Sequence, residues 1–174
     1  DGDVLHVDRP GNSYTIRRSI MTDCGDDMID HSTGAQPVVE NCIIYDCRDK
    51  IVSIGPLVDG PEATITMTNC LIFNGPGGIR CNQAPAILTN CTLGAGTNVN
   101  GQGCTGTSIQ RCILWTNSAN TCCGDVDYSI IGNSGGLECG IGNLSTNPMF
   151  VNTTCNYELQ AGSPALTAGP RVLA

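Results

Sequence analysis

The chain has 174 residues and a formal charge of −8, with 12 cysteines, 22 glycines and a single lysine. That length suits one domain with a small continuous core. Eight basic residues against sixteen acidic ones argue against a nucleic-acid partner, which needs clustered Lys and Arg, and no apolar run reaches the roughly 20 residues that span a bilayer, so no membrane insertion is expected.

The chain opens on Asp1-Gly2-Asp3 without a signal-peptide pattern and reads as a mature or excised product. It enters a strand-like Val4-Leu5-His6-Val7 directly. From there a repeat governs the sequence. With Ser19, Cys42, Cys70, Cys91, Cys112 and Ser129 as markers, the spacings are 23, 28, 21, 21 and 17 residues. Three positions before the markers stand Ile16, Val39, Met67, Leu88, Ile109 and Val126, all apolar. Two before stand Arg17, Glu40, Thr68, Thr89, Gln110 and Asp127, all polar. Two after stand Met21, Ile44, Ile72, Leu93, Leu114 and Ile131, again apolar. Alternation of period two, held in register over six repeats, predicts strands with one buried face. A repeat this short cannot hold the two helices of a helical solenoid, but it suits one coil of a parallel β-helix. The fold class predicted is therefore all-β: a right-handed parallel β-helix of about six coils, braced by disulfides. A single domain is expected over 1–174, with coils over 1–145 and a closing segment over 146–174.

One position before the markers stand Arg18, Asn41, Asn69, Asn90, Arg111 and Tyr128. Three consecutive Asn at a bend predict a stacked amide ladder. The cysteines fall into columns as well, because stacked strands about 4.8 Å apart lie within disulfide range. Cys24 and Cys47, each five after its marker, are expected to bond. Cys81 and Cys104 occupy matching loops, and Cys139 pairs with Cys122 or Cys123. The marker column Cys42, Cys70, Cys91 and Cys112 is open between two vertical bridges and a stack of buried thiols. An even cysteine count points to an oxidising compartment and a secreted or cell-surface protein. Asn90, Asn143 and Asn152 begin glycosylation triplets that fit this setting. A structural zinc site is not expected: no paired CxxC or HxxxH occurs, and His6 and His31 stand far apart in the sequence.

A β-helix end carries unpaired backbone groups and needs a cap. The segment Val4, Leu5 and Val7 therefore predicts a contact with another copy of the chain or a neighbouring module. The outward column one after the markers is apolar at Ile20, Ile43, Leu71, Ile113 and Ile130, with Thr92 among them. Such a stripe predicts a buried contact, either with a partner or with the chain's own C-terminal segment. That segment, Asn147-Pro148-Met149-Phe150-Val151 and then Tyr157 to Ala165, reads as a closing strand pair and a terminal turn.

The stretch Ala63-Thr64-Ile65-Thr66-Met67-Thr68-Asn69-Cys70-Leu71-Ile72-Phe73-Asn74, followed by Gly77-Gly78-Ile79-Arg80-Cys81, resembles the coils of right-handed parallel β-helix proteins of the pectate-lyase-like class. The ending is similar to the close of bacterial choice-of-anchor surface β-helix proteins. The resemblance speaks for fold more than function, since this architecture hosts lyases, hydrolases, epimerases, adhesins and structural proteins.

The densest chemical cluster is Asp23-Cys24-Gly25-Asp26-Asp27-Met28-Ile29-Asp30-His31, with Asp46-Cys47-Arg48-Asp49-Lys50 one coil on. By resemblance, this is where pectate-lyase-like enzymes keep calcium ligands and a catalytic Arg or Lys. Asp23, Asp26, Asp46 and Asp49 are the candidate calcium ligands, since Ca²⁺ wants six to eight oxygens. Arg48 or Lys50 would be the base of a lyase, and Asp26 with Asp27 the acid pair of a hydrolase. The plainer reading is turn chemistry for Asp beside Gly, and ion pairing of Asp27 with Lys50 and Asp49 with Arg48. His31 reads as a strand residue. Trp115 lies three coils away, so no aromatic platform for a sugar flanks the patch. An outward Thr array for ice binding is absent, because the polar column reads Arg, Glu, Thr, Thr, Gln, Asp.

Two functions are thus expected. The first is a non-catalytic extracellular structural or surface module that stacks on copies of itself or on a neighbour. The alternative is a module that binds or cleaves polysaccharide through a calcium-dependent acidic patch. No organic cofactor is expected.

Overall fold

The structure, a computed structural model, describes residues 2–7, 13–31, 36–54, 63–81, 84–100, 106–115, 124–132, 140–154 and 156–167. Its strands follow one another as coils of a solenoid. The first coil carries β1 (Leu5–Val7), β2 (Thr15–Arg17) and β3 (Ile20–Cys24); the second β4 (Ile29–His31), β5 (Val38–Glu40) and β6 (Ile43–Cys47). The third carries β7 (Lys50–Ile54), β8 (Ile65–Thr68) and β9 (Leu71–Phe73); the fourth β10 (Gly78–Cys81), β11 (Ala86–Thr89) and β12 (Thr92–Leu93). The fifth carries β13 (Val99–Asn100), β14 (Thr107–Gln110) and β15 (Ile113–Leu114), and the sixth adds β16 (Gly124–Asp127) and β17 (Ile130–Ile131). The first strands of successive coils form sheet A, β1-β4-β7-β10-β13. The second form sheet B, from β2 to β16, and the third form sheet C, from β3 to β17.

Among the described residues, all the strand pairings of the three sheets are parallel, and they set like residues on like. In sheet B, Ile16 lies against Val39, Val39 against Met67, Met67 against Leu88, Leu88 against Ile109, and Ile109 against Val126. In sheet C the run is Met21, Ile44, Ile72, Leu93, Leu114 and Ile131. These columns, with Ile29, Val52, Ile79 and Val99 of sheet A, fill the interior. Both repeats of apolar residues read from the sequence therefore line the core.

The corner between sheets B and C has one conformation throughout. Arg18, Asn41, Asn69, Asn90, Arg111 and Tyr128 all have φ between 51° and 55°, the left-handed region. Asn tolerates this region and Arg or Tyr does so at a cost. The next residue locks the corner. Ser19 Oγ donates to the carbonyl of Arg17 at 2.9 Å, Cys42 Sγ to that of Glu40 at 3.3 Å, Cys70 Sγ to that of Thr68 at 3.4 Å, and Cys91 Sγ to that of Thr89 at 3.4 Å. Cys112 and Ser129 repeat the bond to Gln110 and Asp127. Asn69 Nδ2 donates to Asn41 Oδ1 at 3.2 Å, one rung of the expected amide ladder.

The same contacts decide the marker cysteines. Cys42, Cys70, Cys91 and Cys112 are buried thiols, not vertical bridges. The neighbouring Cys112 thiol, with burial, holds Cys91 up at about 12. The contact with Cys91 and burial raise Cys70, and burial raises Cys42. Cys42, Cys70 and Cys91 stay protonated at neutral pH, as polar donors of small volume. Cys24 and Cys47 form the expected disulfide across paired positions of β3 and β6. Cys81 is buried on β10, while Cys104, Cys122, Cys123 and Cys139 lie outside the described residues.

After the last coil, Leu144 bridges to Ile130 and the chain folds back over the outer face of sheet C. The expected closing strand pair is reduced to one antiparallel bridge, Phe150 to Leu159, followed by a 3-10 turn over Pro164–Leu166. Phe150 and Tyr157 pack on Phe73, with Tyr45, Leu71, Ile113 and Trp115 around them. Tyr157 also accepts a hydrogen bond from the Ala95 amide at 2.9 Å and donates to the Thr153 carbonyl at 2.8 Å. Gly94 makes room for the tyrosine ring, which a Cβ there would strike. The apolar stripe is thereby split. Leu71 and Ile113 lie in this cluster and Ile130 is buried, whereas Ile20 is 67% exposed and Ile43 38%.

Leu88→Ala should lower the unfolding free energy by about 3 kcal/mol, because a fully buried rung leaves a cavity between two others. Thr66→Ala, on the outward positions of the same sheet, should change it by less than about 0.5 kcal/mol. Urea midpoints at constant slope would measure both.

Candidate functional site

The acidic segments of coils 1 and 2 lie where sheet C hands over to sheet A. Asp23, Asp46 and Asn74 occupy successive levels of this second corner, with φ of 59°, 55° and 52°. Asn74 Nδ2 donates to Asp46 Oδ1 at 3.0 Å. Asp is among the few residues that accept such a backbone, so turn geometry accounts for Asp23 and Asp46. The Cys24–Cys47 disulfide follows immediately, with Cα atoms 4.7 Å apart. Arg48 lines a shallow depression of about 600 Å³ with Asp23, Gly25, Asp46 and Asn74.

Beyond the disulfide the backbones are laced together. The Arg48 amide donates to the Cys24 carbonyl, and the Asp49 amide to that of Asp26, both at 3.2 Å. The Met28 amide donates to the Lys50 carbonyl at 3.0 Å. A bulge in β7 then re-aims Lys50: Gly78 pairs with Lys50 while Ile79 pairs with Val52. Lys50 Nζ donates to Asp27 Oδ1 at 2.9 Å and Oδ2 at 3.1 Å, and to Asp49 Oδ2. The Lys50 amide donates to Asp27 Oδ1 at 3.1 Å, and the Asp27 amide to Asp3 Oδ1 at 3.1 Å. Lys50 and Asp27 are almost sealed, their side chains 12% and 7% exposed. Gly77 allows the next coil to close over them, since a Cβ there would strike the lysine stem.

Of the residues singled out from the sequence, the fold thus gathers Asp26, Asp27, Asp49 and Lys50. One oxygen from each of the three carboxylates lies within 4.8 Å of the others. Asp23, Asp46 and Arg48 instead line the depression around the disulfide. Burial by itself would lower the Lys50 pKa, but the hydrogen bonds and charges of Asp49 and Asp27 outweigh it and raise the value above 10.5. An ammonium held in this way is a poor proton acceptor and a good anchor.

A second cluster was not legible as such. Pairing of β1 with β4 sets His6 opposite Asp30 and Val7 opposite His31. The two histidines, far apart in the sequence, stand on neighbouring strands. His31 faces inward, buried and stacked on Tyr14 with ring centroids 5.4 Å apart. His6 faces outward, and its Nδ1 lies 3.0 Å from Asp30 Oδ2 and 3.2 Å from Asp3 Oδ2. The signal was present: Leu5-His6-Val7 and Ile29-Asp30-His31 share their alternation one coil apart. Of the glycosylation candidates, Asn90 is exposed at its corner. Asn143 is tied into the fold, its side chain accepting from the Ser129 amide at 3.0 Å and donating to the Val126 carbonyl at 2.6 Å. Asn152 is exposed and accepts from the Thr154 amide at 2.7 Å.

The family model described as right handed beta helix region matches residues 7–93, half of the chain. The chain belongs to the right-handed β-helix family. No match was found among the curated proteins or among the solved structures. The coils of this right-handed β-helix continue past the matched region in the same three-sheet register, through β17.

Removing the lysine charge, as in Lys50→Met, strands the Asp27 carboxylate among buried groups and should cost about 3 kcal/mol of folding stability. The alkaline limb tests the same pair. Because the folded-state Lys50 pKa is raised, its contribution is fully present below pH 10.5 and is lost as the pH rises through the folded value. Guanidinium unfolding at stepped pH should therefore show wild type and Lys50→Met converging only above that point.

Proposed function

We propose that this β-helix is a non-catalytic structural module of a secreted or surface-exposed protein, which stacks through the N-terminal end of its solenoid onto a second copy or an adjoining module. The observation that carries this reading is the state of that end. Strands β1, β2 and β3 each stand last in their sheet, with no further strand beyond them among the described residues. Tyr14, Ile16 and Met21 pack on the core there but are only partly buried, and Ile20 and Val4 are exposed. Outermost strands standing over partly buried apolar side chains favour another parallel coil as their neighbour. The disulfide and the absence, among the described residues, of a helix long and apolar enough to cross a membrane are compatible with an extracellular setting. The likeness of the C-terminal segment to choice-of-anchor surface proteins points the same way.

The alternative is a polysaccharide module that takes calcium at the acidic patch, where two of the four expected ligands, Asp26 and Asp49, come together with Asp27 while Asp23 and Asp46 sit at the corner. Its support is the convergence of Asp26, Asp27 and Asp49 in the turns where sheet C hands over to sheet A. Against it stands Lys50, whose ammonium already neutralises Asp27 and Asp49 from the place a cation would take. The structural reading is therefore the better supported.

Sedimentation velocity should show association that grows with concentration above the 18.1 kDa of one chain. Ile20→Lys places a charge on the exposed apolar surface of the first coil and should shift the protein to monomer while leaving its circular dichroism unchanged. A wild type that stays monomeric at millimolar concentration, with no filaments in electron micrographs, would remove self-stacking.

A further inference from the structure

We propose that Asp3, His6 and Asp30 form a binding site for one divalent transition-metal ion, with zinc the type case, on the outer face of the first two coils. The site is independent of the calcium reading and shares no ligand with it. Its donor set is one imidazole nitrogen and two carboxylate oxygens, all within 4.8 Å of one another. The two separations from the imidazole match coordination geometry. Donors bound to one ion at about 2.1 Å lie about 3.0 to 3.4 Å apart at octahedral or tetrahedral angles, and Nδ1 lies 3.0 Å from Asp30 Oδ2 and 3.2 Å from Asp3 Oδ2.

The ligands are held in place before any ion arrives. His6 and Asp30 are opposite residues of paired strands, fixed by the β1–β4 ladder. Asp3 uses its other oxygen, Oδ1, to accept the Asp27 amide at 3.1 Å, which aims Oδ2 at the imidazole. Two acceptors converge on a nitrogen that carries at most one proton, so a hydrogen bond can serve only one of them well. An ion at the centroid serves all three. It displaces the Nδ1 proton, if present, to solvent. Beside the ligands, a cavity of about 370 Å³ lined by Asp3, His6, Asp26 and Asp30 leaves room for water at the remaining coordination positions. Imidazole in the set selects zinc, nickel or copper over calcium, which takes oxygen ligands. No lysine competes here, in contrast to the neighbouring carboxylates. Binding would pin β1 to β4 and so stiffen the stacking end.

Isothermal titration of the metal-stripped chain with ZnCl₂ should give one ion per chain, unaffected by a hundredfold excess of Ca²⁺. His6→Gln and the isosteric Asp30→Asn should each weaken binding at least tenfold with unchanged circular dichroism, whereas Asp125→Asn should leave it as in wild type. Because the chain is rich in cysteine, Co²⁺ serves as the spectroscopic check. Ligand-field bands without a thiolate-to-cobalt charge-transfer band are expected. Absence of saturable zinc uptake, uptake unchanged in both variants, or a thiolate band would each overturn the assignment. End-to-end association is read separately by sedimentation, so the failure of one proposal leaves the other standing.

Discussion

The stacking of each coil on the next at the strand spacing of about 4.8 Å is the constraint from which the rest of this molecule follows. At that spacing a side chain meets the same position of the coil below. The core is therefore built from columns, and a residue type that suits one rung suits all. Ile, Leu, Val and Met fill the inner columns from end to end. The parallel ladders cannot turn corners unaided, and here the turn is made by one residue in left-handed backbone. The Ser or Cys that follows returns its hydrogen to the carbonyl two residues back. The thiols thus act as small buried donors, hydrophobic enough for the interior and polar enough to satisfy a carbonyl that the bend exposes.

The same periodicity concentrates charge. When two coils carry acidic turns at the same level, their carboxylates are forced together, and each must find a cation or solvent. Corner geometry absorbs Asp23 and Asp46. Lys50 absorbs Asp27 and Asp49 through a bulge that turns one strand residue towards the gap. Asp3 and Asp30 converge on His6. The acidic rim is in this sense a set of local solutions to one electrostatic problem, and each solution differs in whether the cation is part of the chain.

The outer face of sheet C shows how closure competes with assembly. The aromatic residues of the C-terminal segment cover the later coils, where Gly94 admits Tyr157. Ile20 and Ile43 line a groove with Thr154 of the fold-back and remain partly or largely exposed. Among the described residues, exposed apolar surface thus lies beside the outermost strands β1, β2 and β3.

The sequence by itself determined the coils, both inner columns, the amide corner and the Cys24–Cys47 bridge. Each of these is a consequence of period and register, which one dimension records. It also brought Asp27 to Lys50, because both positions fall within the aligned repeat. Only the tertiary structure decided that the marker cysteines are thiols, that the C-terminal segment covers part of the outward stripe, and that Lys50 is locked between two carboxylates. It alone set His6 beside Asp3 and Asp30. These outcomes depend on side-chain direction, on a bulge one residue long and on which face a returning segment meets. None of them repeats along the chain, so no periodicity announces them.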